Sequence, residues 1–141
     1  YSLFRTYSNG SMLWLLLAVG CLIVVTDQGS VQLFKEVLQR SRPCHDAALS
    51  QLLNLVSGKC GGQFGFVSSH AANVFGLAAF FRIVLPSFGG RGILLFGWAT
   101  SVSVSRVYLG LHYPSDVIVG ALFGMLIGFS LATVTVKSIT E

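Results

Sequence analysis

The residues with chemical potential fall into three short clusters: Lys35 with Arg42-Pro43, then Ser68-Ser69-His70, then Ser105-Arg106 with His112 and Asp116. Lys35 and Arg42 are seven residues apart, two turns of a continuing helix, so both could grip one anion from the same side. Pro43 disfavours helical geometry at Arg42 and is expected to end the helix there. Ser68 precedes an apolar helical run and fits an N-cap, leaving first-turn N–H groups and the helix dipole facing the same anion. His70 lies in that first turn. Pro114 suits the first position of the last helix, which places His112 just before it and Asp116 in its first turn. An Asp carboxylate there can hold one imidazole nitrogen, fix the tautomer and leave the other nitrogen as a nucleophile. Each cluster also has a plainer reading: surface cations on a solvated amphipathic helix, a structural interfacial His, or a His/Asp metal site. For the last, the sequence has neither an HExxH pattern nor Cys/His zinc spacing, so no metal is expected.

The elements that must position these residues are strongly apolar. Of 141 residues, 53% are hydrophobic and only 10% charged, against about a quarter in a soluble domain, so the chain reads as an all-α membrane protein forming one domain over 1–141. Four apolar stretches stand out: Ser11 to Thr26, His70 to Phe88, Gly92 to Leu109 and Pro114 to Val136. Each approaches the ~20 residues that cross ~30 Å of hydrocarbon, and none has the polar face of a soluble helix. Four membrane spans are therefore expected. Gly89-Gly90-Arg91 and Gly110 to Tyr113 are tight connections, so neighbouring spans run antiparallel. The long connection, Asp27 to Val67, spaces Val31, Phe34 and Leu38 at helical intervals, and Gly58 to Gly65 reads as loop. Alternating crossings bring all three polar clusters to one face, where ionisable groups at a membrane boundary call for a counter-charge or a function. Arg5, Arg82, Arg91 and Lys137 fall on the other face, which places that face in the cytoplasm and the polar cap outside. The net charge of +4 is scattered among apolar spans and forms no basic stripe, so anionic lipid head groups are the expected partner and nucleic acid is not. Nothing in the sequence bears on oligomeric state.

Gly120, Gly124 and Gly128 recur every four residues as a packing stripe for a second helix. Cys21 lies within an apolar span and is expected to pack as a small hydrophobe. Cys44 and Cys60 bracket the loop between the first two clusters. An extracytoplasmic cap permits a disulfide between them, with two free thiols the alternative. The chain begins at Tyr1 without a Met or a signal-type leader, and its start is expected to be an internal boundary.

In order, Lys35-x6-Arg42-Pro43, Ser68-Ser69-His70 and Ser105-Arg106-x5-His112-x3-Asp116 resemble the three motifs of the type 2 phosphatidic acid phosphatase (PAP2) superfamily. That superfamily includes bacterial lipid phosphatases, glucose-6-phosphatase and the vanadium haloperoxidases. The first and third motifs match at every defining position. The middle one departs from the usual Pro-Ser-Gly-His, with Val67 for Pro and Ser69 for Gly. The resemblance implies a six-helix membrane bundle, of which the four spans match the last four, so about two N-terminal helices are expected to be missing. It further implies His112 as nucleophile, Asp116 orienting it, and His70 as proton donor to the departing oxygen. Lys35, Arg42, Ser68, Ser69 and Arg106 are implied to bind the phosphoryl group, with no metal or organic cofactor. The expected substrate is a bacterial membrane lipid phosphate or pyrophosphate: undecaprenyl pyrophosphate, phosphatidylglycerophosphate, phosphatidic acid or the phosphate of lipid A. The expected location is the inner membrane with the site on the extracytoplasmic side. A lipid phosphotransferase, a catalytically silent lipid-binding module and a haloperoxidase are the competing readings.

Overall fold

A run from Ser11 to Val25 without proline or charge favours an uninterrupted helix, and the computed structural model, which describes residues 9–53, 55 and 60–140, has one. Helix α1 spans Asn9–Gly29, continues as a π-helical segment over Ser30–Lys35, and closes with a last α-turn at Glu36–Leu38. The helix thus extends well past Thr26. It also stops before Arg42, contrary to expectation: Gln39 adopts left-handed geometry (φ 46°, ψ 33°), which terminates a helix, and its N–H donates to the Lys35 carbonyl at 3.0 Å. Arg42 is extended (φ −70°, ψ 155°), as the following proline demands. Lys35 and Arg42 therefore do not share one helix face. The chain between them folds back.

Helix α2, Ser69–Val84, ends sooner than Phe88 because Leu85 leaves helical geometry and Pro86 opens a 3-10 segment, Pro86–Gly92. Helices α3, Ile93–Tyr108, and α4, Pro114–Thr140, follow. No strand occurs among the described residues; a single bridge pairs Ser41 with Phe64. Two stretches, Gly10–Leu38 and Pro114–Ile139, are long and apolar enough to cross a membrane. Helices α2 and α3, each of 16 residues, reach about 24 Å at 1.5 Å per residue, short of the ~30 Å core. Arg5 and the Gly58–Lys59 part of the expected loop lie outside the described residues.

The fold is organised on α2 against α4. A Cβ at Gly120 would come within 2.6 Å of the Ser68 carbonyl oxygen, and Cβ atoms at Gly124 and Gly128 would collide with the carbonyls of Ala72 and Gly76. The two backbones are therefore in direct contact along the glycine stripe, as small residues allow in a membrane. Phe80, Leu22, Val84 and Ala132 form the apolar core with Leu15, Ala18 and Leu85, at the end remote from the polar clusters. The outer faces remain apolar: Leu13, Leu16 and Leu17 on α1, Leu94 and Trp98 on α3, and Leu122 and Leu126 on α4 are all exposed. Cys21 belongs to this outer surface and is not packed inside; it borders open apolar grooves between α1 and α4.

Candidate active site

Helix α2 begins at the expected cap. Ser68 is extended (φ −73°, ψ 109°), fully buried, and its Oγ accepts the Ala71 N–H at 3.4 Å. Its own N–H donates to the Asp116 carbonyl at 3.0 Å, which ties the start of α2 to the first turn of α4. His70, one residue into α2, is exposed.

At the start of α4, the fully buried Asp116 carboxylate has two partners. Oδ2 accepts the Tyr113 N–H at 2.9 Å, capping its own helix, and Oδ1 accepts from Arg40 Nη1 at 2.9 Å. The Arg40 guanidinium also lies 4.1 Å above the Tyr113 ring and donates to Ser115 Oγ at 2.8 Å. His112 Nδ1 is 3.6 Å from Asp116 Oδ2, an ion-pair separation longer than a hydrogen bond, and it has no other partner. On the other side of the ring, Nε2 is 3.0 Å from Arg42 Nη1. A guanidinium can only donate, so Nε2 must carry the lone pair and Nδ1 the proton, pointed at Asp116. Burial pushes the His112 imidazole below its ordinary pKa; the Asp116 carboxylate opposes that, and the Arg42 charge reinforces it. The ring is held as a neutral base.

Arg42 reaches this position through the returning loop. Its N–H donates to Gln63 O at 3.2 Å and Gly65 N–H to Arg40 O at 2.8 Å, while its Nε donates to Gly62 O at 2.6 Å. Gly65 is buried where a Cβ would sit 3.1 Å from Arg42 Cγ and 3.4 Å from Asp116 Oδ2, so a side chain there would push the loop off the site. Arg106, in the last turn of α3, has a buried Nε without a partner. Lys35 Nζ donates to Ser69 Oγ at 2.6 Å.

These elements enclose a cavity of about 290 Å³ lined by Arg42, Cys60, Gly61, His70, Arg106, Leu111 and His112. Two cations, two imidazoles and a helix N-terminus around a space of that size suit a phosphate-sized anion. Lys35, Ser68, Ser69 and Asp116 are not among its lining residues, and Lys35 is hydrogen-bonded to Ser69. No cluster of three His, Cys, Asp or Glu side chains suited to a cation occurs among the described residues. Two grooves of about 230 and 260 Å³ along α1 and α4 contain no charged residue. Arg40 and Ser30 are absent from the sequence-derived set. Arg40 had a usable signal: it is two residues from Arg42 in a chain that Pro43 holds extended, which puts both on one side.

Cys44 and Cys60 are disulfide-bonded, with Cα atoms 5.8 Å apart, and Cys60 borders the cavity. Peptide mapping without reductant, on protein taken from its native membrane, is expected to recover the linked Cys44–Cys60 peptide. Loss of the bond should cost about 3 kcal/mol by loop-closure entropy. Free, alkylatable thiols at both positions would exclude the bond.

The PAP2 superfamily profile matches residues 11–139. Among curated proteins, a lipid A 4'-phosphatase of Bacteroides thetaiotaomicron is 37% identical over 125 residues, covering 88% of this chain and 55% of that protein. A lipid A 4'-phosphatase of Porphyromonas gingivalis is 32% identical over 131 residues, covering 91% and 54%. A decaprenylphosphoryl-5-phosphoribose phosphatase of Mycobacterium tuberculosis is 29% identical over 125 residues, covering 82% and 57%. The chain spans about half the length of these curated relatives. No solved structure matches it significantly.

Proposed function

Because this chain belongs to the PAP2 superfamily, we propose that it is the catalytic part of a membrane lipid phosphatase working through a phosphohistidine. The observation that carries the reading is the Arg42–His112 contact, which leaves a neutral imidazole with its lone pair on Nε2 at a cationic cavity. In the first step Nε2 attacks phosphorus. The P–N bond forms as the P–O bond to the lipid breaks, and His70 gives its proton to the departing oxygen. Asp116 stabilises the imidazolium that results. Arg42, Arg106, Lys35, Ser68 and the amide of Ser69 neutralise the three equatorial oxygens. In the second step water attacks phosphorus, His70 takes its proton, the P–N bond breaks and His112 is restored.

The four helices are proposed to cross the bilayer of a bacterial inner membrane, with the short α2 and α3 completed by their polar flanks. The cavity would then open on the extracytoplasmic side, where a Cys44–Cys60 bond is chemically permitted. The relatives named as lipid A phosphatases make a lipid A phosphate the first substrate to test, ahead of phosphatidic acid, phosphatidylglycerophosphate and undecaprenyl pyrophosphate.

The deciding experiment is phosphate release from this panel by the full-length protein in detergent. Release from none of the four would refute the assignment. Vanadate, which adopts the trigonal-bipyramidal shape of the transition state, is expected to inhibit, and EDTA to leave the rate unchanged. Inactivation by EDTA that a divalent ion reverses would instead indicate a metallophosphatase.

A further inference from the structure

Two polar rungs join α1 to α2. Thr26 Oγ1 donates to Asn73 Oδ1 at 2.6 Å, and one turn further along both helices Ser30 Oγ meets Ser69 Oγ at 2.5 Å. Thr26 and Ser30 are four residues apart, as are Ser69 and Asn73, so antiparallel helices present both rungs on one line. The second rung carries an extra group, since Lys35 Nζ donates to Ser69 Oγ at 2.6 Å.

An ammonium has donors and no acceptor, so the Ser69 oxygen must accept from Lys35. The Ser69 proton then goes to Ser30 Oγ, and the Ser30 proton to the Asp27 carbonyl at 2.7 Å. A single direction of donation, from Lys35 through two hydroxyls to a backbone carbonyl, satisfies every group in the chain. Ser30 is fully buried and Ser69 nearly so. Ser30 opens the π-helical segment and Lys35 closes it. The i→i+5 spacing of that segment brings Lys35 round to the face of Ser30, where both reach one serine.

We propose that Ser69 and Ser30 are positioning residues that hold the Lys35 ammonium at the phosphate cavity. One N–H of Lys35 is committed to Ser69, which directs the other two toward the anion and removes much of the ordering cost of a long, flexible side chain. Ser69 stands where the resembling motif has Gly, a residue with no hydroxyl, and Ser30 supplies the acceptor that lets Ser69 serve. The Ser69 hydroxyl is thereby given to the lysine and not to the phosphate. This inference rests on Lys35 binding the phosphoryl group, as proposed above.

The test is vanadate affinity of the detergent-solubilised full chain, measured by isothermal titration, in a double-mutant cycle. Lys35→Met is expected to weaken binding at least about 10-fold and Ser69→Ala about 5-fold to 10-fold, as for hydrogen bonds to a charged group. The double variant should bind no worse than Lys35→Met, because nothing remains to be positioned. Ser69→Thr, which keeps the hydroxyl, should recover most of the affinity. Thr26→Ala breaks the neighbouring rung without touching Lys35 and should change affinity less than about 2-fold. If Ser69→Ala does not fold, Ser30→Ala enters the same cycle, with a smaller loss of about 3-fold and the same non-additivity. Additive losses in the double variant, or an equal loss from Thr26→Ala, would overturn the positioning role while leaving Lys35 at the phosphate. Unchanged affinity in Lys35→Met would overturn the phosphate placement of Lys35, and the positioning role with it.

Discussion

Replacing His112 by Asn is expected to lower phosphate release by at least about 10⁴-fold, because the proposed covalent intermediate loses the atom that forms it. Arg42, Arg106 and Lys35 remain in the variant, so vanadate should still bind and show that the cavity persists. Retention of even a tenth of wild-type release by protein that binds vanadate would remove His112 from the role of nucleophile. The same assignment fixes a sign for pH. Attack requires neutral imidazole, and burial depresses the His112 pKa below its ordinary 6.5. Neutral His112 is then maintained as pH falls through 6.5, and the acid limb of kcat/KM should lie below that value. An acid limb centred above 6.5 would mean that Asp116, not burial, dominates the ring.

A Val at Gly124 is expected to produce the largest loss of stability of any single substitution on α4. Its Cβ would collide with the Ala72 carbonyl, an atom already committed to the α2 hydrogen-bond ladder, so neither partner can move aside cheaply. Overpacking of this kind costs ~1–3 kcal/mol in ordinary cores, and a backbone obstacle places this site at the upper end. A fall in Tm of roughly 10 °C should follow, with loss of phosphate release as α2 and α4 are forced apart. Gly97→Val on α3 is the matched control, since a Cβ there meets nothing within 4 Å. Equal Tm values for the two variants would show that the stripe does not bring the helices into contact.

The parts of the fold that were legible in the sequence are those written in local signals. Ser68 caps α2 and Pro114 starts α4 because capping and proline geometry depend on a few neighbouring residues. The apolar runs located all four helices, and the glycine spacing marked a packing face on α4, though not that α2 is the helix it meets. The loop from Gln39 to Val67 was not legible. Its course depends on Arg42 N–H finding Gln63 and Gly65 N–H finding Arg40, pairings more than twenty residues apart that no periodicity announces. The site suffers the same blindness: Arg40 reaches Asp116 across 76 positions, and Ser30 reaches Ser69 across 39. Ser30 is identifiable only once α1 and α2 are placed side by side, whereas Arg40 could be suspected from its spacing to Arg42 but its partner could not.

The contact between Arg42 and His112 has a consequence for what the cavity admits. The guanidinium covers the lone pair that would attack phosphorus, while the Leu111 carbonyl, 3.2 Å from the same Nη1, and the Gly62 carbonyl hold it there. An uncharged lipid head group offers the guanidinium nothing better than the imidazole and leaves it in place. A phosphate offers a charge-assisted, bidentate partner, worth roughly twice a neutral hydrogen bond, and draws the guanidinium across. One exchange of partners would then both neutralise the ligand and unveil the reactive nitrogen. On the proposed mechanism the first sieve is charge, applied before the shape of the lipid is tested. Uncharged lipids in the surrounding bilayer would then present the nucleophile with a crowd of molecules that cannot uncover it.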